Sequence, residues 1–424
     1  MQQHARTADL RPGVPSTSRY RNVRARSEAL CAPLATDDYQ VQSVLETSPP
    51  KWHLAHLTWF FETFVLAPYA PGYRVFHPRY GELFNSYYQT VGQPFARPSR
   101  HVLSRPTVEE VYRYRAHVDA AMLDLIDRPP AASAAEIARR VELGLHHEQQ
   151  HQELLLMDIK HNFSVNPLAP VYRAREPAAP RTAVALRWID FKGGLREIGA
   201  DGDAFCFDNE TPRHKVWLED FRLGSRLVTN AEYLAFIEAG GYRQPQHWLA
   251  DGWSAVRERG WTAPLYWRQA DGAWQEFTLG GLLPLDPAAP VCHVSGYEAD
   301  AYARWRGARL PTEAELEVAT AGRAVSGNFV ESDLLHPRAA QGEMDGQWFG
   351  DVWEWTQSAY APYPGYRPQE GALGEYNGKF MGNQYVLRGG CCATPQSHQR
   401  ASYRNFFYLH DRWPFTGIRL AAEA

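Results

Sequence analysis

From about Asp37 to Phe163, apolar residues recur every three or four positions, the spacing of helices that bury one face. Ser48-Pro49-Pro50 supplies an N-cap and a first-turn proline, and predicts a helix through Trp52, His56, Trp59 and Thr63. Thr107-Val108-Glu109-Glu110 is a capping box, followed by Val111, Tyr114, Val118, Met122 and Leu125 at helical spacing. A third long helix is predicted from about Ala134 to His161, with Ile137, Val141, Gly144, His147, His151 and Leu155 along one stripe. Several long helices within about 130 residues predict an antiparallel all-α bundle over 37–165.

The pattern changes on either side of that bundle. Met1 to Arg26 holds six arginines and no apolar run, so 1–36 reads as an N-terminal arm rather than a secretory signal, with a transit peptide the lesser alternative. Asn166 to Arg181 is rich in Pro, Ala and Arg without periodicity, and marks a linker over 166–182. Residues 183–424 read as short strands and dense turns broken by compact helices. Thr229-Asn230-Ala231-Glu232, Ser295-Gly296-Tyr297-Glu298 and Thr312-Glu313-Ala314-Glu315 each open a helix, and these stop at Gly240-Gly241, Gly307 and Gly322. The second domain is therefore expected to be α+β with long irregular loops, where function tends to sit.

Composition narrows the class. A net charge of −4 with 22% charged residues gives no concentrated basic surface, which argues against a nucleic-acid binder. Fourteen tryptophans, and 62 residues of Gly and Pro (32 + 30), fit a loop-rich, aromatic-packed second half. Five cysteines (Cys31, Cys206, Cys292, Cys391, Cys392) form no CxxC pair, which favours a reducing, cytoplasmic setting. The longest apolar stretch, Leu57 to Ala70, is interrupted by Glu62 and Pro68 and is too short to span a bilayer.

The sharpest chemical signal is His147-Glu148-Gln149-Gln150-His151. Histidines at i and i+4 share a helix face, so both imidazoles can reach one metal ion. Glu148 completes a literal HExxH, the metalloprotease pattern, but no third ligand follows at a recognisable spacing. The helix opened by Ser48 offers a better third ligand in His53-Leu54-Ala55-His56. Positions i and i+3 diverge by about 60° around the axis. His56 shares its stripe with Trp52, Trp59 and Thr63, so His56 is taken as the ligand and His53 as the outlier. Three imidazoles without a carboxylate leave open positions that suit iron(II) with oxygen and a substrate; on ligand type alone, zinc fits nearly as well. Tyr87-Tyr88 follows in a loop and could supply a proton or hydrogen atom to oxygen chemistry, although paired tyrosines are more often packing residues. In Arg97-Pro98-Ser99-Arg100 and Arg105, prolines are expected to hold the chain extended and present guanidinium forks to a carboxylate.

Taken in order, WHLAH, NSYY, RPSR, HHEQQHQE, RLPTEAE, GDVWEWT, VLRGG, YRNFF and FTGIRLA resemble the ergothioneine-type sulfoxide synthases, and the resemblance runs from about Tyr39 onward. It implies a two-domain chain: a DinB-like helical bundle joined to a domain of the formylglycine-generating-enzyme (sulfatase-modifying-factor) type, a C-type-lectin-like fold. It also implies iron(II) held by His56, His147 and His151, and a reaction in which dioxygen couples a thiol to C2 of the imidazole of hercynine, giving a sulfoxide. Gln150 and Glu153 match positions that hold the betaine, and Asn405 with Phe406 matches a second-domain contribution to that pocket; an aromatic wall and a carboxylate suit a quaternary ammonium. Tyr87 and Tyr88 match the family's tyrosine pair, and Arg97 and Arg100 match arginines for the donor's carboxylate. A structural calcium in the second domain is a further expectation.

Several positions depart from the family pattern. Phe407 stands where members that use γ-glutamylcysteine carry an aspartate. His101, Gly382, Cys391 and Tyr408-Leu409-His410 differ from ordinary cysteine-using members. These edges of the donor pocket lean toward the sister branch of selenoneine synthases, which attach a selenosugar to hercynine at the same iron site. The rival readings are a cysteine-using ergothioneine sulfoxide synthase, a DinB-like zinc or nickel hydrolase or thiol transferase, and a carbohydrate-binding module. A copper enzyme of the formylglycine-generating type is disfavoured, because adjacent Cys391 and Cys392 would point to opposite faces of a strand.

Overall fold

Ser16 caps a helix that the arginine-rich N-terminus conceals: its side chain accepts from Arg19 N and opens α1, Thr17–Cys31. The computed structural model describes residues 16–176, 182–202, 204–342 and 346–424. Much of the expected arm is thus part of the bundle, while residues 1–15 lie outside the described residues. Tyr20, Val23, Leu30 and Cys31 bury one side of α1, and Arg19 and Arg24 turn inward to carboxylates while Arg21 stays exposed.

The other bundle helices follow the pattern of the sequence. α2 is Pro50–Phe61, continued by a π turn at Glu62–Leu66 and the short α3, Ala67–Tyr69. Its N-cap is Pro49 rather than Ser48. Ser48 serves elsewhere: its N–H donates to Asp158 and its Oγ accepts from Arg100. After the short α4, Tyr80–Leu83, the Thr107 capping box opens α5, Val108–Asp127. α6, Ala134–Ser164, is the longest element and packs against α1 and α2.

The linker is pinned to both halves. Tyr172 N and Arg173 N donate to Leu279 O, and the buried Tyr172 hydroxyl donates to Leu30 O. Residues 177–181 of the expected linker lie outside the described residues.

Beyond it the strands are short. β1 (Trp188–Phe191), β4 (Phe221–Gly224) and β12 (Ala421–Glu423) form one antiparallel sheet in the order β1-β4-β12, and β2 (Gly194–Ile198) pairs with β3 (His214–Leu218). α7 (Asn230–Glu238) precedes α8 (Ala250–Arg259) and the meander β5 (Trp267–Ala270), β6 (Ala273–Thr278), β7 (Gly281–Pro284). α9 (Gly296–Trp305) and α10 (Glu313–Thr320) follow. β8 (Trp353–Ala359), β9 (Gln384–Arg388), β10 (Asn405–Tyr408) and β11 (Thr416–Gly417) make a sheet in the order β10-β9-β8-β11, with β11 parallel to β8 and the other pairs antiparallel. The three capping boxes at Thr229, Ser295 and Thr312 all form reciprocally. The architecture is the expected one, a helical bundle followed by an α+β domain.

One apolar core runs through both domains, from Leu30 and Trp59 to Trp355 and Ile418. α6 joins them. Its apolar stripe faces α2, while its polar side, which composition alone would place in water, is buried against the second domain. Gln149 donates to Ser397, Gln150 to Tyr403, and Lys160 lies 2.8 Å from His293 Nε2. Close approach of α2 and α6 depends on Gly144, where an added Cβ would sit 2.5 Å from the Phe61 ring and 2.9 Å from Phe60. Gly144→Ala is expected to destabilise the protein by about 1–3 kcal/mol through overpacking; thermal unfolding would show it, and a variant as stable as the parent would contradict this account of the contact.

Candidate metal centre and the cavity beside it

His56 on α2 and His147 and His151 on α6 are all buried, and one ring nitrogen from each lies within 4.8 Å of the others. The spacing explains the convergence. His147 and His151 are one turn apart on the face of α6 that packs against α2, where the i, i+4 register delivers His56 between Trp52 and Trp59. Its imidazole is stacked on both indoles, at centroid distances of 4.6 and 5.5 Å. The ring is therefore fixed before any ligand arrives.

The surrounding hydrogen bonds choose which nitrogen each histidine offers. His56 Nδ1–H donates to Phe84 O at 2.6 Å, which leaves Nε2 buried without a partner. Both nitrogens of His147 are likewise buried and unpaired. His151 Nδ1 lies 2.9 Å from His53 Nδ1, and His53 Nε2 lies 2.9 Å from Asp158 Oδ2. With Asp158 ionised, each ring in this chain donates toward the carboxylate, and His151 Nε2 is left free. His53 is thus no outlier: it ties His151 to a carboxylate, the arrangement that orients metal-bound imidazoles. Burial lowers the pKa of all three triad histidines, His147 to about 4. Neutral imidazoles whose nitrogens converge on one point are what a divalent metal requires. His53→Phe, which keeps a ring but removes both nitrogens, is expected to weaken divalent-metal binding by about 10–100-fold. Anaerobic titration would measure it; unchanged affinity would remove His53 from the site.

Glu148 does not complete a protease. One residue on from His147, it turns toward α1 and α5, where Arg24 and Arg115 donate to its two oxygens at 2.9 and 3.1 Å and Ser27 donates at 2.7 Å. Burial would raise this carboxyl, but the two guanidiniums outweigh it and bring it down to about 2. A carboxylate so engaged faces away from the triad and has no free base to offer, which overturns the HExxH reading.

Beside the triad lies a cavity of about 1000 Å³, walled by both domains. Phe60, Tyr88, His147 and Gln150 come from the bundle, and Phe205, Phe207, Tyr376 and Asn377 from the second domain. Nothing in the helical pattern points to the latter four; only a loop-rich, aromatic composition hints at them. Gln150 donates through Nε2 to Tyr403, while its Oε1 is buried without a partner. Glu153 is buried, accepting from Trp353 Nε1 and from Thr394 Oγ1, each at 2.6 Å. Burial pushes its carboxyl up to about 7 against those hydrogen bonds. Cys391, one of the departures noted above, sits with its Sγ 3.3 Å from the same Thr394 hydroxyl.

Tyr88 is buried, its ring 5.7 Å from Trp59 and 4.8 Å from Tyr87. Burial raises the pKa of both tyrosines, so both hydroxyls keep their protons. The donor-site expectations fare differently. The Arg97 segment is a tight 3-10 turn, Arg97–Val102, and not extended. Arg100 is 1% exposed, its guanidinium stacked 3.3 Å over Trp52 and donating to Ser48 and Ser86. The tight turn packs it under the loop instead of presenting it. Arg97 lines a separate surface depression with Ser86 and Gln93. Neither arginine lines the large cavity, and nor do Asn405, Phe406 or Phe407. Phe406 stacks on Tyr360 at 4.1 Å and faces Tyr376 at 6.4 Å. Asn405 Oδ1 accepts from Phe406 N, and Phe407 packs edge-on to Trp413. For the calcium expectation, the histidine triad is the one group of three or more His, Cys, Asp or Glu found to converge among the described residues.

Comparison with known proteins agrees with this picture. Residues 19–155 match the DinB superfamily, beginning inside α1, and residues 176–348 and 342–424 match the sulfatase-modifying factor enzyme 1-like domain. The hercynine oxygenase of Mycolicibacterium thermoresistibile is 35% identical over 405 residues, covering 88% of this chain and 87% of its own. That of Mycobacterium tuberculosis is 33% identical over 399 residues, covering 88% and 91%. The formylglycine-generating enzyme of Streptomyces coelicolor is 32% identical over 206 residues, 44% of this chain and 61% of its own. With both domains matched in order and the likeness to the oxygenases running through most of each chain, the protein belongs to the hercynine oxygenase family, the ergothioneine-type sulfoxide synthases.

Proposed function

We propose that this protein is a non-haem iron(II) enzyme that uses dioxygen to join a chalcogen donor to C2 of the imidazole of hercynine, with a selenosugar as donor. The observation that carries the reading is the convergence of three imidazoles, two of them with buried unpaired nitrogens, beside a cavity that both domains enclose. Ferrous iron held by His56, His147 and His151 would supply dioxygen activation and a template for both substrates. The chain's residues supply the rest. Gln150 and Glu153 are assigned to the trimethylammonium and carboxylate end of hercynine, with the Phe406–Tyr376 aromatic group as its wall. For Asn405 and Glu153, neither of which lines the cavity, the betaine role rests on the family match alone.

Tyr87 and Tyr88 hold their protons, Tyr88 lines the cavity with His147, and we assign the pair to steering the oxygen chemistry toward coupling. Replacing both with Phe is expected to reduce coupling relative to donor oxidation by on the order of 100-fold. Product ratios by mass would measure this, and unchanged partitioning would remove the tyrosines from the mechanism.

The selenosugar rests on the departures from the family pattern at His101, Gly382, Cys391, Phe407 and Tyr408-Leu409-His410; Arg97, Arg100 and Phe407 do not line the cavity, whose arginines are Arg139 and Arg367. The cysteine-using reaction, in which Arg97 and Arg100 would grip the donor, is the second reading. Five free cysteines and helices too short or polar to cross a membrane, among the described residues, are compatible with a cytoplasmic enzyme. The test is an aerobic ferrous assay with hercynine, offering cysteine, γ-glutamylcysteine and a selenosugar in competition, read by adduct mass. A selenosugar adduct is expected. A cysteine adduct alone would move the donor, and no adduct with any donor would overturn the function.

A further inference from the structure

The loop that carries the tyrosine pair is not held by the bundle alone. Within it, Asn85 forms a turn, accepting from Tyr88 N and donating to Tyr88 O and Gly92 O. Its far side is bound by two 3-10 turns of the second domain, Ala372–Glu375 and Gly378–Phe380. Glu375 accepts from Gln89 N at 3.0 Å, from Thr90 N at 3.1 Å and from the Thr90 hydroxyl. Lys379 Nζ donates to Tyr87 O at 2.6 Å and to Glu375 at 3.1 Å. Between these contacts the Tyr87 ring stacks on Tyr376 at 5.2 Å and meets Phe380 edge-on at 5.6 Å. Tyr376, next to Glu375, lines the cavity together with Tyr88, His147 and Gln150.

We propose that Glu375, braced by Lys379, is a positioning residue: it clasps the backbone at Gln89 and Thr90 and so fixes Tyr87 and Tyr88 beside the metal site. A carboxylate that accepts two adjacent amide hydrogens and a hydroxyl defines the path of the chain immediately after the tyrosines, and a charged acceptor makes such bonds stronger than neutral ones. Burial alone would raise the Glu375 carboxyl, but the Thr90, Lys379 and Gln89 contacts bring it down to about 2, so the clasp stays charged through the neutral range. The Lys379 ammonium grips the carbonyl of the first tyrosine from the neighbouring turn. The second domain thereby acts on the chemistry at a distance, by holding a loop of the first. Its catalytic consequence rests on the tyrosine role proposed above; its structural content does not.

Hydrogen exchange of the full-length, metal-free chain separates the two. In Glu375→Ala, the amides of Gln89 and Thr90 should exchange at least about tenfold faster than in the parent, with α2 and α6 amides unchanged. Glu375→Gln, which keeps one acceptor oxygen, should lie between and guards against a folding defect in the alanine variant. Ferrous affinity should stay within about twofold, while the ratio of coupling to donor oxidation falls in the same direction as for the double Tyr→Phe variant. Unchanged exchange at Gln89 and Thr90 would overturn the clasp. Faster exchange with an unchanged product ratio, where the double Tyr→Phe variant does change it, would overturn the positioning role. If the double variant changes nothing, the tyrosine reading fails instead, and the clasp stands or falls on exchange alone.

Discussion

His151→Ala is expected to lower ferrous affinity by more than about 100-fold and to abolish hercynine-dependent turnover. Loss of an outer partner of a metal ligand already costs about 10–100-fold, and this substitution removes the ligand itself. It also breaks the chain from Asp158 through His53, leaving His53 Nδ1 without its 2.9 Å neighbour. The remaining pair, His56 and His147, sits on two helices with no carboxylate beside it to take over. Metal analysis after anaerobic reconstitution, alongside thermal unfolding, distinguishes this from misfolding: the expected variant is folded and metal-poor. Full iron occupancy in His151→Ala would mean that another group completes the site.

Glu148→Ala should have the largest effect on stability, about 3–5 kcal/mol. Its carboxylate is the meeting point of four helices: Arg24 and Ser27 from α1 and Arg115 from α5 converge on it from α6, while Arg24 and Arg115 also reach Thr58 and Leu54 O on α2. Removing the acceptor takes one of two carboxylate partners from each of two buried guanidiniums: Arg24, 3% exposed, keeps Asp119, and Arg115, 0% exposed, keeps Glu28. Breaking a buried ion pair costs about that much, and here it removes three buried hydrogen bonds together with the charge that the two guanidiniums share. Denaturant unfolding would test it. A cost below about 1 kcal/mol would show that Asp119 and Glu28 alone suffice for the two guanidiniums.

That network also explains what the sequence conveys and what it conceals. The triad is legible because its signal is periodic: His147 and His151 are one turn apart, and the tryptophans around His56 mark a buried stripe. The capping boxes at Thr107, Thr229, Ser295 and Thr312 are legible because the interaction spans only four residues. α1 is concealed because inward-facing arginines look like a solvated arm until Asp119 and Glu148, about a hundred residues away, are brought to them. The same reason hides His53, whose meaning depends on Asp158, and the polar side of α6, whose partners Ser397, Tyr403 and Trp353 belong to another domain. Arg100 is misplaced by local reasoning because prolines alone suggest an extended segment, whereas stacking on Trp52 holds it in a tight turn. In each case the missing information is a long-range pairing of charged or polar groups, which leaves no period in the chain.

The most direct test of the account is X-ray absorption on the apo-protein reconstituted anaerobically with one equivalent of ferrous iron. The account predicts a single bound ion whose scattering requires three imidazoles, falling to two in His56→Ala. A bound ion with the same imidazole count in His56→Ala, or no stoichiometric iron in the parent, would contradict the idea that α2 and α6 together build the centre.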